Sequence, residues 1–224
     1  MDKNWPFRDT ALGFALAWLV FALGDAAGAR LGLTGPPGFY LALLLWGTVL
    51  MVYMLLYLNQ HHSLGFKVEI LGKNPGMNLL IGILAGTILG LLGGLNLLLP
   101  EPGLLGIFQS RYILDHFFPQ GIFQKVLFLL LFAGFLPVAE ELYFRGFVYP
   151  SLNKRASIGL AALVSASLSA VMLAGTVSFF YLFLAGLAFS LLYERGDSAE
   201  SPIAAHVSMN LVLTLIIFIK GGQQ

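Results

Sequence analysis

The chain has 224 residues, of which 58% are hydrophobic and 10% charged, with a formal net charge of +1 and a mean hydropathy of +0.85. Soluble domains carry about 25% charged residues, so this composition excludes an ordinary soluble domain, and its charge balance gives no sign of a nucleic-acid partner. There is no cysteine, which excludes disulfides and thiolate chemistry.

A membrane-spanning helix needs about 20 predominantly apolar residues. In chain order the candidate spans are 10–30, 38–59, 77–99, 123–149, 156–174, 177–194 and 202–220. The fold class is therefore all-α: a polytopic transmembrane helical bundle of about seven spans, forming one membrane-embedded domain over residues 1–224. The first span is interrupted by Asp25 and Arg30. It reads as a retained helix, because the segment before it carries Asp2 and Asp9 where a signal peptide would be purely basic.

The third span contains "GILAGTILGLLGG", with Gly82, Gly86, Gly90 and Gly94 at a spacing of four. Such a stripe lets another helix backbone come close. Internal bundle packing is the first reading, and homo-oligomerisation through the stripe is the second. The segment from Pro100 to Gly121 is rich in Pro, Gly and aromatics and suits the membrane interface. The fourth span is long enough to tilt, with Pro137 as a site for a kink. Only "AGT" separates the fifth and sixth spans, which should form a tight hairpin.

Loop charges orient the bundle. Lys3, Arg8, Lys67, Lys73, Lys154, Arg155 and Arg195 fall on one side; Arg30, Arg111, Lys125 and Lys220 fall on the other. This bias places the N-terminus in the cytoplasm, and the chain as an integral protein of the plasma (inner) membrane.

The fourth span runs without a break into "EELYFRG", so Glu140, Glu141 and Arg145 lie within an apolar helix. On an insertion scale three such charges cost roughly 8–10 kcal/mol, against about 3–6 kcal/mol returned by the apolar residues before them. The three groups must therefore face the bundle interior and find partners there. Glu141 and Arg145 are i and i+4 and can pair on one helix face. Glu140 is rotated by about 100° from Glu141 and is poorly placed for Arg145. One carboxylate is thus a structural partner and the other is free. A carboxylate removed from water without a cationic partner holds a proton more tightly, which suits a general base near neutral pH. The alternative is that all three groups only tie helices together.

The last span adds "HVSMN", which puts His206 and Asn210 at i and i+4. Both can hydrogen-bond one small object, such as a water or a carbonyl oxygen. They can equally serve as an interhelical tie.

Taken together, "EELYFRG" and "HVSMN" some 60 residues later resemble the CAAX prenyl protease and bacteriocin-processing (CPBP, or Abi) family of intramembrane glutamate proteases. The likeness runs from about Leu136 to Leu213, a CPBP-like core over residues 136–213. It implies that Glu140 activates a water, that Glu141 and Arg145 brace the site, and that His206 and Asn210 stabilise an oxyanion. It also implies a membrane-anchored protein or peptide as substrate. The family carries an FxxxH motif on the next helix, and here the aligned positions are Ser169 and Leu173. The middle histidine is missing. A divalent metal such as zinc would have only Glu140, Glu141 and His206 as strong ligand types. Three functions remain open: an intramembrane endopeptidase, a non-catalytic family member that binds or scaffolds a membrane partner, and a transporter or channel with a Glu140–His206 proton path.

Overall fold

A computed structural model describes residues 7–30, 32, 35–60, 70–98, 118–173 and 179–221. Among them all regular structure is helical. The helices are α1 (Phe7–Arg30), α2 (Pro36–Gln60), α3 (Pro75–Leu98), α4 (Gly121–Asn153), α5 (Ile158–Leu173), α6 (Phe179–Gly196) and α7 (Glu200–Gly221). Five of them, α2, α3, α4, α6 and α7, are long and apolar enough to cross a membrane. Shorter apolar stretches occupy α1 (Ala11–Gly24) and α5 (Ile158–Val171). Apolar side chains also cover the outside: Leu80, Leu84, Ile88 and Leu92 of α3 are about half exposed, as expected of helices solvated by lipid. The chain is a membrane helical bundle.

Proline opens α2 and α3, where its missing N–H is one the helix could not use. Glu200 opens α7 and ties it to the start of α3. Its Oε1 accepts from Gly72 N–H (3.2 Å) and from Asn78 Nδ2 (2.6 Å), and Ser201 Oγ donates to the Asn78 carbonyl (2.8 Å).

The glycine stripe of α3 lies along α7. A Cβ on Gly86 would run into the backbone of Ala205, and one on Gly90 would sit 2.7 Å from Val212 Cβ. The absence of side chains lets the two backbones touch. The stripe is thus used inside the bundle, as the first reading had it, and does not offer its face to a second copy. The consequence for the site is direct: α7 is set close in beside Ala205, and His206 is the next residue.

α4 is the central rod. Its α-helical stretches (Gly121–Phe128, Leu136–Tyr143, Tyr149–Asn153) alternate with π-helical stretches (Leu129–Phe135, Phe144–Val148). The chain stays helical through Pro137 because the preceding turn is widened: Leu136 N–H donates to the Leu131 carbonyl, five residues back. α1 and α2 pack together, as do α5 and α6, and α2 and α7 both pack on α4. The interconnected core on the α2 side is built from Phe39, Leu43, Trp46, Leu50, Phe128 and Phe144 among others.

His61, His62, His116 and the connection 100–117 lie outside the described residues, as do the side chains of Asp25 and Leu173.

Candidate active site

Glu140, Glu141 and Arg145 sit between and within the π-helical stretches of α4, and each is nearly inaccessible, at 5%, 0% and 1% exposure. A π-helical turn adds a residue per turn and turns the following side chains to a new direction. Three ionisable groups on one rod thereby point into the bundle, as their insertion cost requires.

Glu141 is the electrostatic centre. Its Oε1 accepts from Arg145 Nη1 (3.0 Å) and lies 2.8 Å from His206 Nδ1. Arg145 Nη2 donates to the Gly186 carbonyl (2.8 Å). One ion pair thus fastens α4, α6 and α7. A Cβ on Gly186 would lie 3.0 Å from Arg145 Nη2 and 3.1 Å from Ala166 Cα, so glycine there admits both the guanidinium and the neighbouring helix α5. An ionised carboxylate only accepts hydrogen bonds. Nδ1 of His206 therefore carries the proton it shares with Glu141, and this orients the ring so that Nε2 faces the other way. Phe189 stacks on the imidazole at 4.9 Å between centroids and also lies 5.5 Å from Arg145 Cζ.

Glu140 is held from the opposite side. Trp46 of α2 donates its indole N–H to Oε1 (3.1 Å). The second oxygen, Oε2, lies 3.9 Å from His206 Nε2. That is too long for a direct hydrogen bond and short enough for one water to touch both atoms. The expected division of labour between the carboxylates is visible here: Glu141 takes the arginine, and Glu140 does not.

A small cavity of about 20 Å³, room for a water-sized group, opens beside this pair. Its polar lining is Glu140, Arg145, Ser169 and His206, and its apolar lining includes Leu182, Ala185, Phe189 and Met209. Asn210 is not among the lining residues. Its Nδ2 donates to the Phe132 carbonyl at 2.7 Å, fully buried. The donor is needed there. Leu136 N–H already goes to Leu131 and Pro137 has no N–H, so the Phe132 carbonyl has no helical donor at i+4 or i+5. His206 and Asn210 therefore do not hold one common object, as their spacing had suggested. They hold Glu141 and Phe132, one turn apart on α4.

Residues 122–212 match the family model described as Rce1-like, type II CAAX prenyl endopeptidase. No curated protein and no solved structure matches the chain. The Rce1-like segment reaches from the start of α4 into α7 and includes all five residues singled out in the sequence.

Zinc does not fit the donor set. Among the described residues no group of three or more His, Asp or Glu side chains is placed to hold a metal ion. Glu141 and His206 are committed to each other, and Glu141 also to Arg145.

Three residues around these groups escaped the sequence reading. Trp46 carried the clearest cue: an indole N–H inside an apolar span must find an acceptor, although its partner is 94 residues away. Ser169 was aligned to an apolar position of the family motif, yet it lines the cavity. Gly186 left no cue, since one glycine among 26 does not announce a carbonyl that receives an arginine.

Proposed function

We propose that this protein is an intramembrane endopeptidase in which Glu140 activates a water for attack on a peptide carbonyl. The observation that carries the reading is the facing pair Glu140 Oε2 and His206 Nε2, 3.9 Å apart at a cavity, each fixed from behind by a single partner, Trp46 and Glu141. Pre-set orientation of this kind is what a general base needs.

The chemistry follows from charge. Two carboxylates and one guanidinium leave the buried cluster one negative charge, and a net charge away from water is costly. One further proton, shared between Glu140 and His206, neutralises it. With that proton on His206, Glu140 accepts from the bound water and the imidazolium Nε2–H faces the carbonyl oxygen. As water adds, its proton passes to Glu140 Oε2 and the oxyanion develops against His206. Collapse of the intermediate breaks the C–N bond, and Glu140 returns the proton to the leaving amine. Glu141 and Arg145 are the brace. Asn210 belongs to the same site through Phe132, holding the π-helical turn that precedes Glu140.

The substrate on this reading is a membrane-anchored protein or peptide. The protein resides in the plasma membrane with its N-terminus in the cytoplasm, consistent with the basic side of its loops. The test uses full-length protein in lipid nanodiscs with farnesylated and unmodified membrane-anchored peptides, read by mass spectrometry. Two discrete products whose masses sum to that of the substrate plus one water are expected. Intact substrate of both kinds, from protein with a cooperative melting transition, contradicts the proposal.

A further inference from the structure

The cavity holds one polar side chain that the reaction above leaves unused, Ser169 of α5. Its helix is registered on α4 by Ser165, whose Oγ donates to the Phe144 carbonyl at 3.4 Å. Ser169 is one turn further on the same face, which carries it to the cavity that Glu140, Arg145 and His206 line.

The hydroxyl is chemically polarised by its own helix. Ser169 Oγ donates its only proton to the Ala166 carbonyl at 3.0 Å. Its lone pairs are what remain for the cavity, so toward a bound water this serine can only accept. The water between Glu140 and His206 has two hydrogens. Before substrate enters, Glu140 Oε2 takes one, and with the shared proton on His206, Nε2–H occupies one lone pair. The second hydrogen needs an acceptor. Of the remaining polar lining residues, Arg145 is a pure donor, which leaves Ser169.

We propose that Ser169 Oγ is the second acceptor for the nucleophilic water, so that Glu140, His206 and Ser169 together fix three of its four tetrahedral directions. As the substrate carbonyl oxygen takes over Nε2–H, Glu140 and Ser169 keep both hydrogens of the water fixed and a lone pair is left free to attack. This rests on the endopeptidase reading and adds to it a residue that orients the nucleophile. The hydroxyl takes no proton in any step. It sets the direction of attack, so its removal should slow turnover without weakening substrate binding.

Kinetic constants in nanodiscs for wild type, Ser169→Ala, Ser169→Thr and Glu140→Gln test this. A neutral hydrogen bond contributes about 0.5–1.5 kcal/mol, so Ser169→Ala should lower kcat by about two- to ten-fold with KM and melting temperature unchanged, and Ser169→Thr should restore it. Ser169→Ala at the wild-type rate, with Glu140→Gln inactive, overturns the serine assignment and leaves the glutamate mechanism standing. Glu140→Gln at the wild-type rate overturns the mechanism itself. An experimental structure supplies a readout that needs no turnover. An ordered water within about 3.2 Å of both Ser169 Oγ and Glu140 Oε2 is expected in wild type and should be lost in Ser169→Ala. A wild-type structure with no water on Ser169 refutes the assignment even for a protein that cleaves nothing.

Discussion

Asn210 and Pro137 should be energetically coupled, although they sit on different helices. The chain of causes is short. Pro137 lacks an N–H, Leu136 N–H is taken by Leu131, and the Phe132 carbonyl is left to Asn210 Nδ2 at 2.7 Å. Asn210→Ala removes that donor and leaves a buried carbonyl unpaired, at a cost of about 1–3 kcal/mol. Membrane hydrogen bonds average nearer 0.6 kcal/mol, with a ceiling of about 1.7, so about 1–1.5 kcal/mol is the working expectation for a fully buried group. Pro137→Ala restores an N–H that can reach the Phe132 carbonyl in π-helical register. In the double variant Pro137→Ala/Asn210→Ala the new N–H replaces the lost amide. The cycle should therefore show a favourable coupling of about 1 kcal/mol, well above the roughly 0.3–0.5 kcal/mol scatter of independent sites. For a chain of this size that corresponds to about 2–4 °C in melting temperature, measurable by thermal denaturation in detergent. Additive single-variant effects would refute the account of why Asn210 is where it is. Loss of activity in Asn210→Ala that Pro137→Ala does not rescue, with stability restored, would instead make Asn210 a direct participant.

Arg145→Ala leaves Glu141 a buried carboxylate short of its cation and should destabilise the bundle by about 3–5 kcal/mol, seen as lost expression or a collapsed melting transition. Glu140→Gln keeps an oxygen for Trp46 to donate to and should melt as wild type; the reverse order of the two would exchange brace and base. Trp46→Phe keeps a ring against Phe14 but removes the donor to Glu140. It should lower kcat/KM by at least about ten-fold, given about 1.5–3 kcal/mol for a hydrogen bond to a charged group, and unchanged kinetics would show that Glu140 needs no such anchor. Gly86→Leu must push α7 away from α3 and should destabilise by about 1–3 kcal/mol or more, whereas Leu84→Ala on the 56% exposed face should stay within about 0.5 kcal/mol. Oligomer dissociation by Gly86→Leu, with the protomer's stability intact, would show that the stripe serves a second copy instead.

The bundle was legible because hydrophobic length and lipid thickness constrain each other tightly, and the helices begin and end close to the expected spans. The Glu141–Arg145 ion pair was legible too: i and i+4 on one helix is local geometry and needs no knowledge of the fold. What escaped were contacts between distant segments. Trp46 meets Glu140 across 94 residues and Asn210 meets Phe132 across 78. The second depends on a π-helical turn, which no apolar pattern announces. Ser169 shows the same limit in another form. Counting residues from "EELYFRG" gave the family's motif positions to Ser169 and Leu173, but that Ser169 reaches the cavity is set by how α5 packs on α4 through Ser165.

In the proposed reaction Glu140 is the base of a peptide-bond hydrolysis inside the membrane. The most direct test is the cleavage rate of one membrane-anchored peptide by wild type and by Glu140→Gln, in the same nanodiscs and at matched melting temperature. A general base contributes about 10²–10⁴-fold, so the account predicts a rate ratio of at least about 100, with the wild type clearly above background. Equal rates for the two proteins, or no cleavage by folded wild type, would contradict it.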